Sequence, residues 1–303
     1  MNHPPLTRRH LLASLPAAAL AAPAPPLRLG GPIFLKSTDP AELAREHQRL
    51  GYAAAYCPNI SLADAARTEK AFAAANVVIA EVGAWKNMLD PDPAARAANL
   101  AYVQERLALA EAVGARCCVD IAGSFNPKVW YGPHKDNFSP RFYEATVENV
   151  RKILDAVKPK RTRFALEIMG WCAPDSAASY RKLIKAIDRP AFAVHIDVCN
   201  AVNSPSLFYN NAALTEDLFK QLSPWIVSCH AKDLAFLPEM NVHFVEVIPG
   251  RGEIDYQAYL RAIQRYAPQA PLMLEHLKTA EEYLEGATYI RKMATAAGVP
   301  LSA

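Results

Sequence analysis

Four polar side chains close four successive apolar runs in the second half of the sequence: Glu167 in Phe164-Ala165-Leu166-Glu167-Ile168, Asp197 in His195-Ile196-Asp197, His230 in Cys229-His230-Ala231-Lys232-Asp233, and Glu275 in Leu272-Met273-Leu274-Glu275. If each run is a strand, its side chains alternate between two faces, which sets Ala165 and Glu167 apart from Phe164, Leu166 and Ile168, and Asp197 with Ala193 and His195. Three carboxylates brought to one low-dielectric spot repel and cannot all stay ionised unpaired; a divalent cation resolves the conflict. Three oxygen donors with one imidazole favour Mn²⁺ first, with Mg²⁺, Co²⁺ or Zn²⁺ as alternatives. A cation on a carbonyl oxygen stabilises the enediolate left when the adjacent C–H is removed, and a carboxylate within reach serves as the base. Two such bases, Glu167 and Glu275, on opposite sides of one carbon suit epimerisation. The same enediolate can expel a β-substituent, so isomerase and lyase share every residue named.

These four must be held by regular elements, and the spacings of 30 and 33 residues match one strand-plus-helix unit each. Short apolar runs predict strands over 32–35, 54–57, 77–82, 117–121, 163–168, 192–197, 226–230 and 271–275. Helical periodicity predicts helices over 41–50, 63–75, 93–113, 140–157, 177–187, 212–221, 256–266 and 280–296. Strict alternation implies parallel strands with right-handed crossovers, and eight units imply one α/β domain, a single (β/α)₈ TIM barrel spanning 27–303. No GxGxxG follows the first strand, which argues against a doubly wound dinucleotide fold. The irregular stretches 120–139, 169–175, 200–211 and 233–253 each follow a strand, at the face where this fold builds its sites.

With Glu on strand five, Asp on strand six, His followed by Ala231-Lys232-Asp233 on strand seven and Glu on strand eight, the chain resembles the xylose-isomerase-like barrel superfamily of sugar isomerases and epimerases. The loop Pro249-Gly250-Arg251-Gly252-Glu253 before the seventh helix is similar too, and the likeness spans about residues 30–298. It implies a metal held by Glu167, Asp197, His230 and Glu275, a chelated hydroxyl and carbonyl of the substrate, and proton movement by one or both glutamates. Three positions depart from the ketose epimerases of that superfamily: Asn200 replaces a His three residues after the metal Asp, Phe236 an Arg six past the metal His, and Ala173 a Glu six past the first metal Glu. The missing His also argues against the three-metal apurinic endonucleases.

The polar grip on a free ketose is thus absent, and aromatic residues stand nearby: Trp130-Tyr131 with His134, Trp171, and Phe208-Tyr209. Trp130, His134, Trp171, Lys232 and Arg251 are the candidate substrate-binding residues, and a larger or glycosidic carbohydrate the expected ligand. His195 reads as a core histidine; Glu81 and Asp120, at the ends of strands three and four, are secondary candidates for substrate hydroxyls. The leading expectation is a divalent-metal-dependent sugar isomerase or epimerase. The alternatives are a metal-dependent lyase, acting as a dehydratase or a 3-keto-glycoside eliminase, and a metal-bearing sugar-binding protein without turnover.

The N-terminus reads as an address. Thr7-Arg8-Arg9-His10-Leu11-Leu12 precedes an Ala/Leu-rich run, and Ala19-Leu20-Ala21 offers a cleavage site. Residues 1–26 therefore resemble a twin-arginine export signal and linker, with a periplasmic or exported destination. The run falls well short of the ~20 residues that span a bilayer, so no stable membrane anchor is expected. Lys and Arg number 33 against 30 Asp and Glu, and the first 21 residues carry two of the arginines and no acid, which reduces the formal charge from +3 to +1. No basic strip is left for nucleic acid. Six cysteines without framework spacing read as free thiols, with a periplasmic bridge kept open, and homo-oligomer formation is likewise open.

Overall fold

A computed structural model describes residues 25–302. Of the expected export signal and linker over residues 1–26, residues 1–24 lie outside the described residues. Among the described residues there are ten strands: β1 Leu29–Gly30, β2 Ala54–Tyr56, β3 Val78–Gly83, β4 Cys117–Asp120, β5 Arg163–Glu167, β6 Phe192–Asp197, β7 Ile226–Ala231, β8 Asp233–Phe236, β9 Phe244–Val247 and β10 Leu272–Leu274. Eight of them, all but β8 and β9, close a parallel barrel in the order β1-β10-β7-β6-β5-β4-β3-β2. The principal helices are α1 Pro40–Arg49, α2 Ala65–Ala74, α3 Pro93–Val113, α4 Pro140–Val157, α5 Ala177–Ile187, α8 Asn211–Leu222, α9 Tyr256–Tyr266 and α10 Ala280–Ala297. The short helices α6 Val198–Ala201 and α7 Pro205–Tyr209 precede α8. The chain is a single (β/α)₈ barrel, as its alternation predicts.

Local chemistry explains the boundaries. Asp39 and Asp92 accept backbone N–H bonds at the starts of α1 and α3, each followed by a proline whose missing N–H costs nothing in the first turn. Outward-facing Phe164 and Leu166 join the large core shared with the helices, whereas Cys117, Val119, Ala165 and Ala193 form a separate small-residue cluster on the barrel axis.

Two expectations are corrected. The first strand is Leu29–Gly30 rather than 32–35, because Gly30 lies so close to the Ala54 carbonyl and the Met273 sulfur that any Cβ would overlap them, while Phe34 and Leu35 are exposed. The stretch 233–253 contains an antiparallel hairpin, β8–β9, paired from Asp233↔Val247 to Phe236↔Phe244. Phe208 and Tyr209 belong to its packing: the Phe208 and Phe244 rings stack at 5.2 Å, Phe236 and Phe244 are 4.8 Å apart, and Phe208 is fully buried. All six cysteines are free thiols, and burial pushes the Cys57 thiol up to about 11. Among the described residues no helix is long and apolar enough to cross a membrane.

Candidate metal centre

Parallel register assembles the site. Glu167 pairs with His195, Asp197 with His230, and His230 with Met273, so side chains two residues apart fall into layers along the axis. The small plug of Cys117, Val119, Ala165 and Ala193 fills the axis below, and a polar layer lies above it. There Glu81 Oε1 accepts from the Ser228 hydroxyl at 2.5 Å and lies 2.9 Å from His195 Nε2, while its Oε2 lies 3.2 Å from His230 Nε2. Glu81 is therefore buried behind His230 and does not face a substrate. Asp120 is buried too, accepting the backbone N–H groups of Lys86 and Ile121.

One layer higher, one ligand atom from each of Glu167, Asp197, His230 and Glu275 lies within 4.8 Å of all the others. His230 Nδ1 is 2.9 Å from Glu167 Oε1, 2.9 Å from Glu275 Oε1 and 3.8 Å from Asp197 Oδ2. The Lys232 ammonium lies 2.9 Å from Asp197 Oδ2, 3.1 Å from Glu275 Oε1 and 3.3 Å from Glu246 Oε1. Asn200, at the position of the missing His, bridges the group: its amide donates to Glu167 Oε1 at 3.0 Å and its carbonyl accepts from Lys232 at 3.0 Å. Helix α9 steadies β7 from outside, through Tyr259 on the His230 carbonyl and Tyr256 on the Lys232 carbonyl. Asp233 anchors the following loop by accepting from the backbone of Leu234, Gly250, Gly252 and Ile254.

Electrostatics and geometry both fit a divalent cation. Burial alone would depress the His230 imidazolium, yet Glu275, Glu81 and Glu167 outweigh it and hold its pKa well above the usual value. Burial likewise opposes the Lys232 charge, and Asp197, Glu275, Glu167 and Glu246 more than restore it. Asp197 is pushed up to about 6, first by burial, with Glu167 and Glu275 adding to the rise and Lys232 opposing it. Asp197 Oδ2 and Glu275 Oε1 are buried without a well-formed hydrogen bond, although both lie near cations. With His230 neutral, three carboxylates face one ammonium, a deficit that one divalent cation would fill. At about 2.1 Å from a metal, adjacent octahedral ligands lie roughly 3.0 Å apart, close to the His230–Glu spacings.

Above the cluster opens a cavity of about 780 Å³. Its polar lining is Glu167, Asn200, Lys232, Glu246, Glu275 and His276, and its aromatic lining Tyr56, Trp85, Trp130, Tyr131, Trp171 and Tyr283. Of the sequence candidates, Trp130, Trp171 and Lys232 line this cavity. Arg251 lines an adjoining one with Lys232, Glu246 and His276 and is paired with Glu285 at 2.7 Å. His134 sits apart from both, receiving the Asp136 N–H at the start of a short 3-10 turn over Lys135–Phe138. Sequence reasoning missed Tyr56, Trp85, Glu246, His276 and Tyr283. Glu246 comes from β9, and its Oε2 lies 2.8 Å from His276 Nδ1. The adjacency of His276 to Glu275 was the one signal in the sequence that pointed here.

Comparison with known proteins agrees with this architecture. A probable L-ribulose-5-phosphate 3-epimerase of Mycoplasma pneumoniae is 27% identical over 147 residues, 48% of this chain; the match spans 43% of that relative's length. The structure of 3-keto-D-glucoside 4-epimerase from E. coli superimposes with a TM-score of 0.63 at 13% identity, covering 88% of this chain and 99% of the other. A xylose isomerase-like TIM barrel protein of Mycobacterium smegmatis in complex with magnesium gives a TM-score of 0.65 at 15% identity, covering 89% and 97%. The sequence profile described as xylose isomerase-like TIM barrel matches residues 41–293, and with that span, on this barrel, the chain belongs to the xylose isomerase-like TIM barrel family.

Proposed function

We propose that the protein is an exported, divalent-metal-dependent enzyme that isomerises or epimerises a carbohydrate by moving a proton on a carbon next to a carbonyl. The observation that carries this reading is the convergence of Glu167, Asp197, His230 and Glu275 on one point, with Glu167 and Glu275 lining the cavity beside it. A cation held by these four, with Mn²⁺ the first choice, would supply a Lewis acid for the substrate's carbonyl and neighbouring hydroxyl. Glu167 and Glu275 each approach His230 Nδ1 to 2.9 Å from different strands and are the carboxylates placed to remove and return the proton. Lys232 and Asn200 hold the charge and orientation of these carboxylates. The relatives whose names describe epimerases support the reaction class, and the magnesium complex of a structural neighbour supports a divalent metal.

The test is incubation of the Mn²⁺-loaded protein with a panel of keto-sugars in D₂O. Deuterium enters the carbon beside the carbonyl, and Glu275→Gln stops it. Absence of both exchange and elimination across the panel removes the enzyme reading and leaves a sugar-binding protein. A lyase is the second reading, favoured by the Glu246–His276 pair, which sets an oriented imidazole at the cavity wall beside Glu275 where a leaving oxygen would need a donor. Release of water or an aglycone in the same incubation decides for it. The twin-arginine-like N-terminus supports export, which fractionation of cells producing the full chain would test.

A further inference from the structure

The polar and the aromatic lining of the cavity differ in what they already touch. Lys232, Asn200, Glu246 and His276 pair with one another and with the carboxylates, whereas aromatic surface stands open: Trp85 is 38% and Tyr131 55% exposed, inside a concavity. At the hairpin, by contrast, Phe208, Phe236 and Phe244 pack against one another.

Trp85 is moreover held where a bulky residue does not rest by preference. Its φ is +28°, in the region that disfavours side chains with a Cβ, and such outliers persist at sites where the surroundings impose them. Gly83, at the end of β3, makes the pose available, because a Cβ on Gly83 would overlap the Trp85 Nε1. The indole then lies with its centroid 6.4 Å from the His230 ring, inclined by 38°. Trp130 and Tyr131 meet edge to face at 5.4 Å farther along the wall, which Trp171 joins.

The four candidate ligands occupy a zone less than 5 Å across, enough to engage one hydroxyl–carbonyl pair of one sugar ring. A cavity of about 780 Å³ falls within the range of roughly 300–1,000 Å³ that takes drug-sized ligands, so one chelated ring leaves room for a second against the aromatic lining. We propose that Trp85, Trp130, Tyr131 and Trp171 form a subsite for a second ring carried on the glycosidic oxygen of the metal-held sugar, with Gly83 as the positioning residue for Trp85. The substrate class is accordingly a glycoside with a flat or pyranose aglycone. This inference rests on the proposed function and names the substrate of that same site.

The experiment measures binding to the Mn²⁺-loaded full chain by calorimetry, using matched phenyl and methyl glycosides of glucose, galactose and xylose. The expected result is that at least one phenyl glycoside binds about tenfold more tightly than its methyl counterpart. Gly83→Ala and Trp130→Ala each reduce that ratio toward one while Mn²⁺ affinity is retained. Circular dichroism confirms folding, and Trp130→Ala carries the test if Gly83→Ala does not fold. Equal affinity for phenyl and methyl glycosides, or a ratio unchanged in the folded variants, overturns the subsite. Metal-dependent binding without a phenyl preference defeats this inference alone, whereas glycoside binding that is absent, or indifferent to EDTA, defeats the metal-centred reading as well.

Discussion

The donors at the floor of the cavity and the aromatic rings of its wall are neighbours built in different ways. Glu167, Asp197 and His230 sit within β5, β6 and β7, with Glu275 one residue past β10, and they are nearly or wholly buried. Trp85, Trp130, Tyr131 and Trp171 lie in connections after β3, β4 and β5, with faces open to solvent. The position of a floor residue follows from barrel register, so it cannot shift without shifting paired neighbours. A wall residue answers only to its own loop. Metal retention and ligand choice are therefore expected to respond to different substitutions.

The largest expected effect breaks the floor alone. Asp197→Asn removes a ligand charge, and Mn²⁺ affinity should fall about a thousandfold, some 4 kcal/mol, with the exchange reaction lost. Calorimetry checks this, and near-native affinity in the variant would dissolve the distinction between floor and wall. Next comes Glu81→Gln, which keeps a carbonyl for the His230 Nε2–H but loses the buried charge behind the imidazole. Metal affinity should drop about 10- to 100-fold with the preference among glycosides unchanged.

Acid should act on the floor in the same sense. Metal binding must displace protons from His230, whose folded pKa is raised, and from Asp197, raised to about 6. Mn²⁺ affinity therefore weakens as pH falls through the raised range of His230 and more steeply below about 6, where Asp197 also takes a proton, with protons released on binding, which titrations in buffers of different ionisation enthalpy would show. In the metal-free protein the raised Asp197 pKa has its own sign: its contribution to stability is full below the unfolded value near 3.8 and is lost as pH rises through about 6. Thermal unfolding of the EDTA-treated protein between these values measures that term. The smallest expected effect belongs to the wall: Trp171→Ala should weaken binding of bulky glycosides a few-fold and leave Mn²⁺ affinity and the melting temperature nearly unchanged. A large loss of metal affinity in that variant would show the two regions to be one unit.

The same division explains what the sequence revealed. The four donors were legible because strand alternation and a repeat of about 30 residues are periodic signals, and β6, α3, α4, α5 and α9 have the limits that periodicity predicts. The first strand was misplaced because its key residue, Gly30, contributes room instead of apolarity, and Ile33-Phe34-Leu35 mimicked a strand nearby. The hairpin escaped because it interrupts the strand-then-helix alternation from which the other strands were read, and Glu246 was lost with it. Trp85 was invisible because its importance arises from a backbone conformation that no residue pattern announces. Glu81 was seen but left open between a substrate contact and a structural role, since a strand-end acid looks the same whether it faces a ligand or backs a histidine.

The hairpin carries one more consequence. The barrel passes from β7 directly to β10, so β8–β9 is an excursion that closure does not require. Its Glu246 nevertheless reaches Lys232 and His276 in the cavity. Changes of length or sequence between Leu237 and His243 would act at the hairpin tip, outside every barrel strand. The hairpin is thus a part whose redesign would reset Glu246 against the cavity while the four donors keep their strands.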